Sequence, residues 1–224
     1  MDLCNPQALL LFAAARLGIS SRRIRLLATE NDTALREWIE HARELPLLHA
    51  RSYARRTADY LQSIGAKMVT MAECGYPPGL RRLNDPPAFL TYRGTIDFEG
   101  ITIIGARTPP LGAGEFAFDL AYELGRATIS GLALGIDAAV HRGSLSARFP
   151  TVAYVGTGVG GVYPAEHRQL QEEIIARGGG VASEHLPHEK VSHRNLVRRD
   201  RLQAAHGVAI MLIASEASGG AMHT

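Results

Sequence analysis

The sequence has little cysteine, no strong excess of charge of either sign and no long apolar run. Its two cysteines, Cys4 and Cys74, lie far apart without the spacing of metal ligands, and are typical of free thiols in a reducing cytoplasm. The net charge is only +2 over 224 residues, so binding of a polyanion must depend on local patches. The apolar run at residues 8–15 is too short to cross a bilayer, and no basic segment precedes it. We therefore expect neither a membrane span nor a signal peptide.

Apolar residues make up 46% of the chain, which is enough to fill a core. The first part of the chain carries signals for short helices: Asn5 and Pro6 predict a helix start, and Gly18 ends that helix. Further helices are predicted after Ser20 or Ser21, after Asp32 or Thr33, and from Pro46 to about residue 64. Residues 1–64 are therefore predicted to form a small helical domain, with a boundary near residue 65.

In residues 65–224, short strands alternate with helices. Strands are predicted at residues 67–71, 88–93, 101–104, 127–129, 151–155, 180–183 and 208–213, and helices at about 112–126, after 135, at 165–177 and at 192–205. This alternation indicates parallel crossovers and predicts the α/β fold class with a doubly wound parallel sheet. Ligands of such sheets bind beyond the carboxyl ends of the strands.

Glycine and serine follow several of these strands, at Gly105, Ser130, Gly131, Gly135, Gly156, Gly158, Ser218 and Gly219. A row of such strand ends along one sheet edge predicts a backbone-lined cleft for anions. The central stretch, SGLALGIDAAVH at residues 130–141, reads as strand, turn and helix, with Asp137 in the first helical turn, where its charge suits the helix dipole. A plain turn in which Asp137 acts as a cap fits the same stretch.

The first strand of this alternation ends in Gly105, Ala106 and Arg107, so the dinucleotide motif GxGxxG is missing there, and no Walker A pattern occurs. We predict no metal and no organic cofactor. Arg107 should point into the cleft, where its guanidinium suits a phosphate. A salt bridge to Asp137 or Glu184 is the structural alternative, and it is compatible with ligand contact.

A basic cluster follows at residues 193–201, HRNLVRRDR. Arg194, Arg198 and Arg201 share one helical face, and Arg199 completes the cluster. Phosphate contact is favoured over a solvated face, because this helix starts at the same sheet edge. Tyr163, after the glycine-rich loop at 156–161, is suited to stack on a base or simply to pack the loop.

Three arginines, Arg51, Arg55 and Arg56, fall on one side of the long predicted helix that begins near Pro46. A solvated face is the favoured interpretation of this group. A secondary phosphate contact is the alternative.

Six of these motifs, in this order, resemble the DNA-processing protein A (DprA/Smf) family. They are IIGAR at 103–107, SGLALGID with His141, GTG at 156–158 with Tyr163 and Pro164, Ser183 with Glu184, RRDR at 198–201, and Ser218 with Gly219. GYPP at 75–78 and DPP at 85–87 resemble the family's entry to its Rossmann-like domain. The resemblance covers about residues 65–224, and the helical start is similar to the family's N-terminal SAM-like domain.

The resemblance implies a Rossmann-like domain at residues 65–224 and single-stranded DNA as the partner. It implies loading of the RecA recombinase onto that DNA during natural transformation, without catalytic turnover. It also implies homodimerisation through this domain, and a cytoplasmic location fits this role. The predicted nucleic-acid or phosphate-binding residues are Gly105, Arg107, Ser130, Gly131, Gly135, Asp137, Gly156, Gly158, Tyr163, Arg194, Arg198, Arg199, Arg201, Ser218 and Gly219.

The sequence departs from the family pattern at several places. Leu134 stands where the family usually has a basic residue, and Asp200 stands inside the family's usual R-N-R. The family normally continues beyond the Ser218 motif, whereas this sequence stops at Thr224. We therefore expect a truncated member or a fragment, lacking a region in which the family places part of its dimer and RecA contacts.

An enzyme also fits the predicted fold. Related phosphoribohydrolases of the LOG type, which cleave nucleoside monophosphates, share this sheet and have a PGGxGT loop with a nearby Glu. Here GTGVGG at residues 156–161 is only loosely similar, and Glu184 is the best-placed candidate for a general acid or base. A nucleotide-sensing domain without a DNA role is a third interpretation. We predict a binding protein rather than an enzyme.

Overall fold

The computed structural model of the chain describes residues 6–29 and 32–214. The helices are α1 (Pro6–Arg16), α2 (Ser21–Ala28), α3 (Thr33–His41), α4 (Leu45–Ser63), α5 (Ala113–Glu123), α6 (Ile136–Ser146), α7 (Arg168–Ala176) and α8 (His193–His206). The strands are β1 (Lys67–Thr70), β2 (Phe89–Gly94), β3 (Ile101–Gly105), β4 (Thr128–Ser130), β5 (Thr151–Tyr154), β6 (Gly180–Ser183) and β7 (Ala209–Ile213). Two short 3₁₀ helices lie at Pro78–Arg82 and Ala165–His167.

Two of the described helices, α3 and α8, begin with a side-chain cap. Asp32 precedes α3 and its carboxylate accepts a hydrogen bond from the Leu35 amide at 3.1 Å. Ser192 caps α8 in the same way, accepting from the Asn195 amide at 3.1 Å. Ser20 precedes α2 without a side-chain cap, and the predicted cap Asn5 lies outside the described residues.

Among the first four helices, α1 packs against α4, and the apolar core of this part of the chain lies between them. Leu11 and Phe12 of α1 are fully buried, and the small residues Ala54 and Ala58 of α4 allow the two helices to approach closely. The ring of Phe12 also meets Phe89 of β2 edge-on, with centroids 5.6 Å apart. The helical core therefore continues into the first strands, and the division of the chain at residue 65 stays a prediction.

The seven strands form one sheet in the order β1-β2-β6-β5-β4-β3-β7. The five strands from β6 to β7 are parallel, as the alternating pattern predicts. β1 and β2 are antiparallel additions at one edge, with Val69 opposite Leu90 and Thr91 opposite Ser183. They lack an α-helical crossover because the segment between them holds two Pro-Pro turns and one short 3₁₀ helix. The α/β class with a mostly parallel sheet is confirmed.

Helices cover both faces of the sheet. α5, α6 and α7 pack on one face over two apolar clusters, of which one contains Val140 and the other contains Ile174. α8 packs on the other, with Leu202 buried against Tyr154 and Ile129. The chain steps from β3 to β6 in one direction, and α8 then crosses back to place β7 beside β3. All the parallel strands thus end at one edge, hereafter the carboxyl edge, where sheets of this topology bind ligands.

Two of the buried histidines, His141 and His206, have a strongly lowered pKa. His206 of α8 bonds the Tyr154 hydroxyl through Nδ1 at 2.9 Å and the Phe98 carbonyl through Nε2 at 3.0 Å. Because a carbonyl only accepts, Nε2 carries the proton and the Tyr154 hydroxyl donates to Nδ1. Burial lowers the pKa of His206 to about 4. Burial, with the nearby charges of His167 and Arg199, lowers the pKa of His141 to about 3.

These histidines predict loss of stability in mild acid. A histidine whose folded pKa lies below its unfolded value near 6.5 takes up a proton preferentially in the unfolded chain, so stability falls as the pH drops from about 6.5 towards 4. For His206 alone we expect a loss of roughly 2 kcal/mol between pH 7 and pH 5. Urea unfolding at both pH values measures it. His206→Gln should make this dependence shallower, with the contribution of His141 remaining, whereas His193→Gln, which removes an exposed imidazole from the same helix, should leave it unchanged. Equal slopes for the two variants would contradict the assignment.

Candidate nucleic-acid interface

The loops that follow the parallel strands are joined along the carboxyl edge. The Ala106 amide after β3 donates to the Ala214 carbonyl after β7 at 2.9 Å. The Ile136 amide at the start of α6 donates to the Ala106 carbonyl at 3.2 Å. Farther along, the Ser183 hydroxyl at the end of β6 donates to the Thr157 carbonyl after β5 at 2.6 Å. The edge is therefore one connected rim of backbone, and it includes most of the predicted glycines.

The glycines of this rim serve contacts between loops. Gly135 has φ +75°, and a Cβ there would lie 2.4 Å from the Ala106 carbonyl oxygen. A Cβ on Gly158 would lie 2.3 Å from Cα of Pro187, and one on Gly105 would lie 2.0 Å from the Ile213 carbonyl oxygen. The interpretation that these glycines let a ligand approach the backbone is therefore incomplete, because the atoms that approach most closely belong to neighbouring loops.

A buried ionic cluster lies directly beneath the loop after β4. Asp137 of α6 accepts hydrogen bonds from the Gly131 and Ala133 amides, both at 3.2 Å. Burial raises the pKa of Asp137, and the charge of Arg199 opposes that rise. The Gly131 amide, which the sequence suggested for an anion, is thus occupied by this carboxylate. Ser130 is also used internally, since its hydroxyl donates to the Ile103 carbonyl at 2.7 Å.

Arg199 is the second member of this cluster and is only 3% exposed. Its guanidinium donates to the carbonyls of Gly131 and Tyr154, the latter at 2.7 Å, and Nε donates to Asp200 at 3.0 Å. Burial raises the pKa of Asp200, while the charges of Arg199 and Arg107 lower it. Arg199 is therefore a scaffold residue in this structure, which differs from its predicted phosphate contact. Asp200 faces inward instead of adding charge to the surface.

Two carboxylates, Glu184 and Asp85, form ion pairs with Arg198 and Arg201 of α8. Glu184, whose side chain is 5% exposed, accepts from Arg201 through Oε2 and lies 3.3 Å from Arg198. Arg198 also lies 3.5 Å from Asp85, which in turn pairs with Arg25 of α2. Arg201 is thus largely committed to Glu184, whereas Arg198 keeps 38% of its side chain exposed.

A polar cleft of about 320 Å³ opens beside Arg198. It is lined by Glu184, His185, Glu189, Arg194, Asn195 and Arg198. His185 Nδ1 lies 3.2 Å from Glu189, and that hydrogen bond lowers the pKa of Glu189 against the opposing effect of burial. The cleft therefore holds two accessible guanidiniums, with carboxylates along its other side.

Arg107 is exposed after β3, and within the described part of the chain it makes no salt bridge. Of the partners that the sequence offered for Arg107, Asp137 accepts from the Gly131 and Ala133 amides, and Glu184 pairs with Arg198 and Arg201 of α8. Tyr163 and Leu134 are also exposed, at 43% and 46%. Accessible arginines and an accessible aromatic ring thus remain on the carboxyl edge.

The structure brings most of the predicted site residues to one edge, but in different roles. Gly156 lies against Leu196 of α8, and Gly158 against the loop after β6. Ser218 and Gly219 lie outside the described residues. Sequence reasoning missed Asp85, which it treated only as part of a turn. It also missed His185 and Glu189, whose spacing of four residues was the available signal.

Two further properties concern the described residues alone. Within 6–29 and 32–214, no group of three or more His, Cys, Asp or Glu side chains is arranged to hold a metal ion. None of the helices in these ranges combines the length and the apolar character needed to cross a membrane.

Solved structures with this fold include DNA processing protein A from Streptococcus pneumoniae. It matches with a TM-score of 0.75 at 21% identity, over 98% of this chain and 81% of that one. DNA processing protein A from Helicobacter pylori, whose structure concerns its single-stranded DNA binding mode, matches with a TM-score of 0.62 at 24% identity, over 70% of this chain and 74% of that one. At these identities the likeness establishes the fold.

Sequence relatives extend the comparison. Protein Smf of Borreliella burgdorferi is 28% identical over 171 residues, covering 73% of this chain and 54% of that protein. Protein Smf of Synechocystis is 31% identical over 173 residues, covering 73% and 43%. DNA processing protein DprA of Bacillus subtilis is 28% identical over 167 residues, covering 71% and 56%. The chain therefore spans about half the length of these relatives.

The model of the DNA recombination-mediator protein A family matches residues 67–224, which begin at β1 and include every strand of the sheet. This match contains the motifs on which the resemblance was based, and that resemblance is confirmed. Because the match covers the whole α/β part and most of the chain, the protein belongs to the DNA recombination-mediator protein A family.

Proposed function

We propose that the protein binds single-stranded DNA along the carboxyl edge, through phosphates and without reading the bases. The observation that carries this proposal is the accessibility of Arg107, Arg194 and Arg198 on this edge, while Arg199 is buried beneath it. Guanidiniums hold phosphates bidentately, and phosphate contacts carry no sequence information. Membership of the family, and the single-stranded DNA binding of the Helicobacter pylori protein, support the same ligand.

The predicted site residues divide into two groups under this proposal. Direct contacts come from the accessible Arg107, Arg194 and Arg198, with Tyr163 as a platform on which a base stacks. The residues that shape the rim are Gly105, Ser130, Gly131, Gly135, Asp137, Gly156, Gly158, Arg199 and Arg201. Ser218 and Gly219 stay predictions.

The cellular role is a proposal that rests on family membership alone. We infer that the bound strand is passed to the RecA recombinase during natural transformation, and that the site acts without catalytic turnover. Homodimerisation through the Rossmann-like domain and a cytoplasmic location belong to the same inference.

Substitution of the accessible arginines tests the site. Arg107→Ala and Arg198→Ala should each weaken binding to all single-stranded sequences about equally, because each removes a phosphate interaction. The slope of log affinity against log salt should become shallower by about 0.7 for each arginine that no longer neutralises a phosphate. Gel shifts with mixed-sequence and homopolymer strands over a salt series measure both effects.

Arg126→Ala is the matched control, since Arg126 is also exposed but precedes β4 at the opposite edge of the sheet. It should leave both the affinity and the slope near those of the unchanged protein. A sequence-selective loss, or an equal loss in Arg126→Ala, would contradict the proposal.

The ion pair between Arg198 and Asp85 leads us to predict a variant that binds single-stranded DNA more tightly. Asp85 competes with phosphate for Arg198, so Asp85→Asn should raise the affinity for single-stranded DNA, by up to about fivefold given the strength of surface ion pairs. Asp119→Asn removes an equal charge from the exposed face of α5, far from Arg198 in the chain, and should have a smaller effect. Equal affinities of the two variants would show that Asp85 does not restrain Arg198.

One observation favours the hydrolase alternative: Oε1 of Glu184 is buried and has no hydrogen-bond partner among the described residues. The other oxygen, however, is engaged by Arg198 and Arg201, which suits a counter-ion more than a group that exchanges protons. We therefore expect incubation with AMP to release no free adenine, as measured by chromatography. Release of adenine that Glu184→Gln abolishes would establish the enzymatic alternative.

A further inference from the structure

A second cleft lies on the helical part of the molecule, between the end of α1 and the first half of α4. Its volume is about 510 Å³. Arg16 and Leu17 line one side, and His49, Tyr53 and Arg56 of α4 line the other. Among the described residues that line this cleft, none carries a carboxylate. The cleft is therefore positively charged, in contrast to the mixed charge of the cleft beside Arg198.

An aromatic ring lies in this basic cleft. The guanidinium of Arg16 lies over the ring of Tyr53, 5.5 Å from its centroid. Arg56 is exposed and is hydrogen-bonded to the Ser52 hydroxyl one turn earlier on α4, at 2.5 Å. Guanidiniums beside an aromatic face are the combination that proteins use for single strands, because phosphates meet the charge and bases stack on the ring.

Only one of the three arginines singled out on this helix belongs to the cleft. Arg51 is turned inward, donating to the carbonyls of Ile39 and Ala42 at 2.5 and 2.8 Å, where it closes the end of α3. Arg55 lines a different depression together with Glu40. The structure thus separates Arg56 from its sequence neighbours.

A continuous series of ring contacts leads from this cleft to the carboxyl edge. Tyr53 meets His188 at a centroid distance of 6.3 Å, and His188 meets Tyr60 at 5.0 Å. The Tyr60 hydroxyl lies against Gly160, where a Cβ would come within 2.1 Å of it. His188 belongs to the loop between β6 and α8, which also supplies Glu189 to the cleft beside Arg198.

From this arrangement we propose that the cleft formed by Arg16, His49, Tyr53 and Arg56 is a second contact site for the same single strand. The strand passes from the carboxyl edge over the loop between β6 and α8 and places a base near Tyr53, with its phosphates against Arg16 and Arg56. This inference rests on the proposed function. It adds a surface in the helical part of the chain, outside residues 67–224 that the family model matches.

The length of the strand tests the inference. Strands of about 6 nucleotides occupy one site, whereas strands of about 20 nucleotides reach both. Arg56→Ala should weaken the affinity for the long strand about threefold or more, and that for the short strand by a smaller factor. Its salt slope with the long strand should be shallower by about 0.7. Tyr53→Ala should weaken long-strand binding by at least about fivefold, because a base can no longer stack there. Fluorescence anisotropy with labelled strands measures these affinities.

Arg55→Ala is the control, because it removes the same charge from the neighbouring residue of the same helix and leaves the cleft intact. It should match the unchanged protein for both strand lengths. Arg56 lies on the surface, so its variant remains informative if Tyr53→Ala does not fold, and thermal unfolding of each variant establishes this.

The outcomes separate the two proposals. If the unchanged protein binds neither strand, the proposed function fails. If it binds both and Arg56→Ala equals Arg55→Ala with the long strand, the second site fails alone. If Arg56→Ala leaves long-strand binding intact and lowers binding of polyglutamate, the occupant is an acidic peptide and the inference is overturned.

Discussion

The carboxyl edge depends on the hydrogen bonds of one buried group, the guanidinium of Arg199. It joins the carbonyl of Gly131, after β4, to that of Tyr154, at the end of β5, and so fixes α8 beneath two neighbouring strand ends. A buried charge is tolerated only when it is paired and fully hydrogen-bonded, and Asp137 and Asp200 supply the opposite charge. Removing one partner of such a group costs about 3–5 kcal/mol, because the remaining charge stays buried.

This constraint explains why arginines that are adjacent in the chain have different roles. One position of α8 must face the strand ends, and Arg199 occupies it. The residues on either side then point in different directions. Arg198 points towards the surface, where it meets Asp85. Asp200 points towards Arg199. The negative residue that stands inside the family's usual R-N-R is therefore neutralised within the scaffold.

The elements and their order could be predicted from the sequence because their signals are local: apolar runs, caps such as Asp32, and glycines after strands. The roles at the site could not, because they depend on contacts between distant segments. Helical spacing placed Arg198 and Arg201 on one face, but it carried no information that Glu184 would lie opposite them. Asp85 lies in a turn whose sequence signals only the turn, and its approach to α8 arises only once the sheet is assembled.

The small number of unpaired positive charges on the carboxyl edge affects how strongly a single strand would be held. The net charge of the chain is +2, and carboxylates restrain Arg198 and Arg201, so the carboxyl edge presents few free cations. A site with two or three phosphate contacts binds weakly at physiological salt, because each contact contributes only the release of its own counterions. A second contact on the same strand adds affinity without new charge at the first, since the connecting nucleotides raise its effective concentration. Under the inference above, the cleft of Arg16 and Arg56 supplies this second contact from the helical part of the chain.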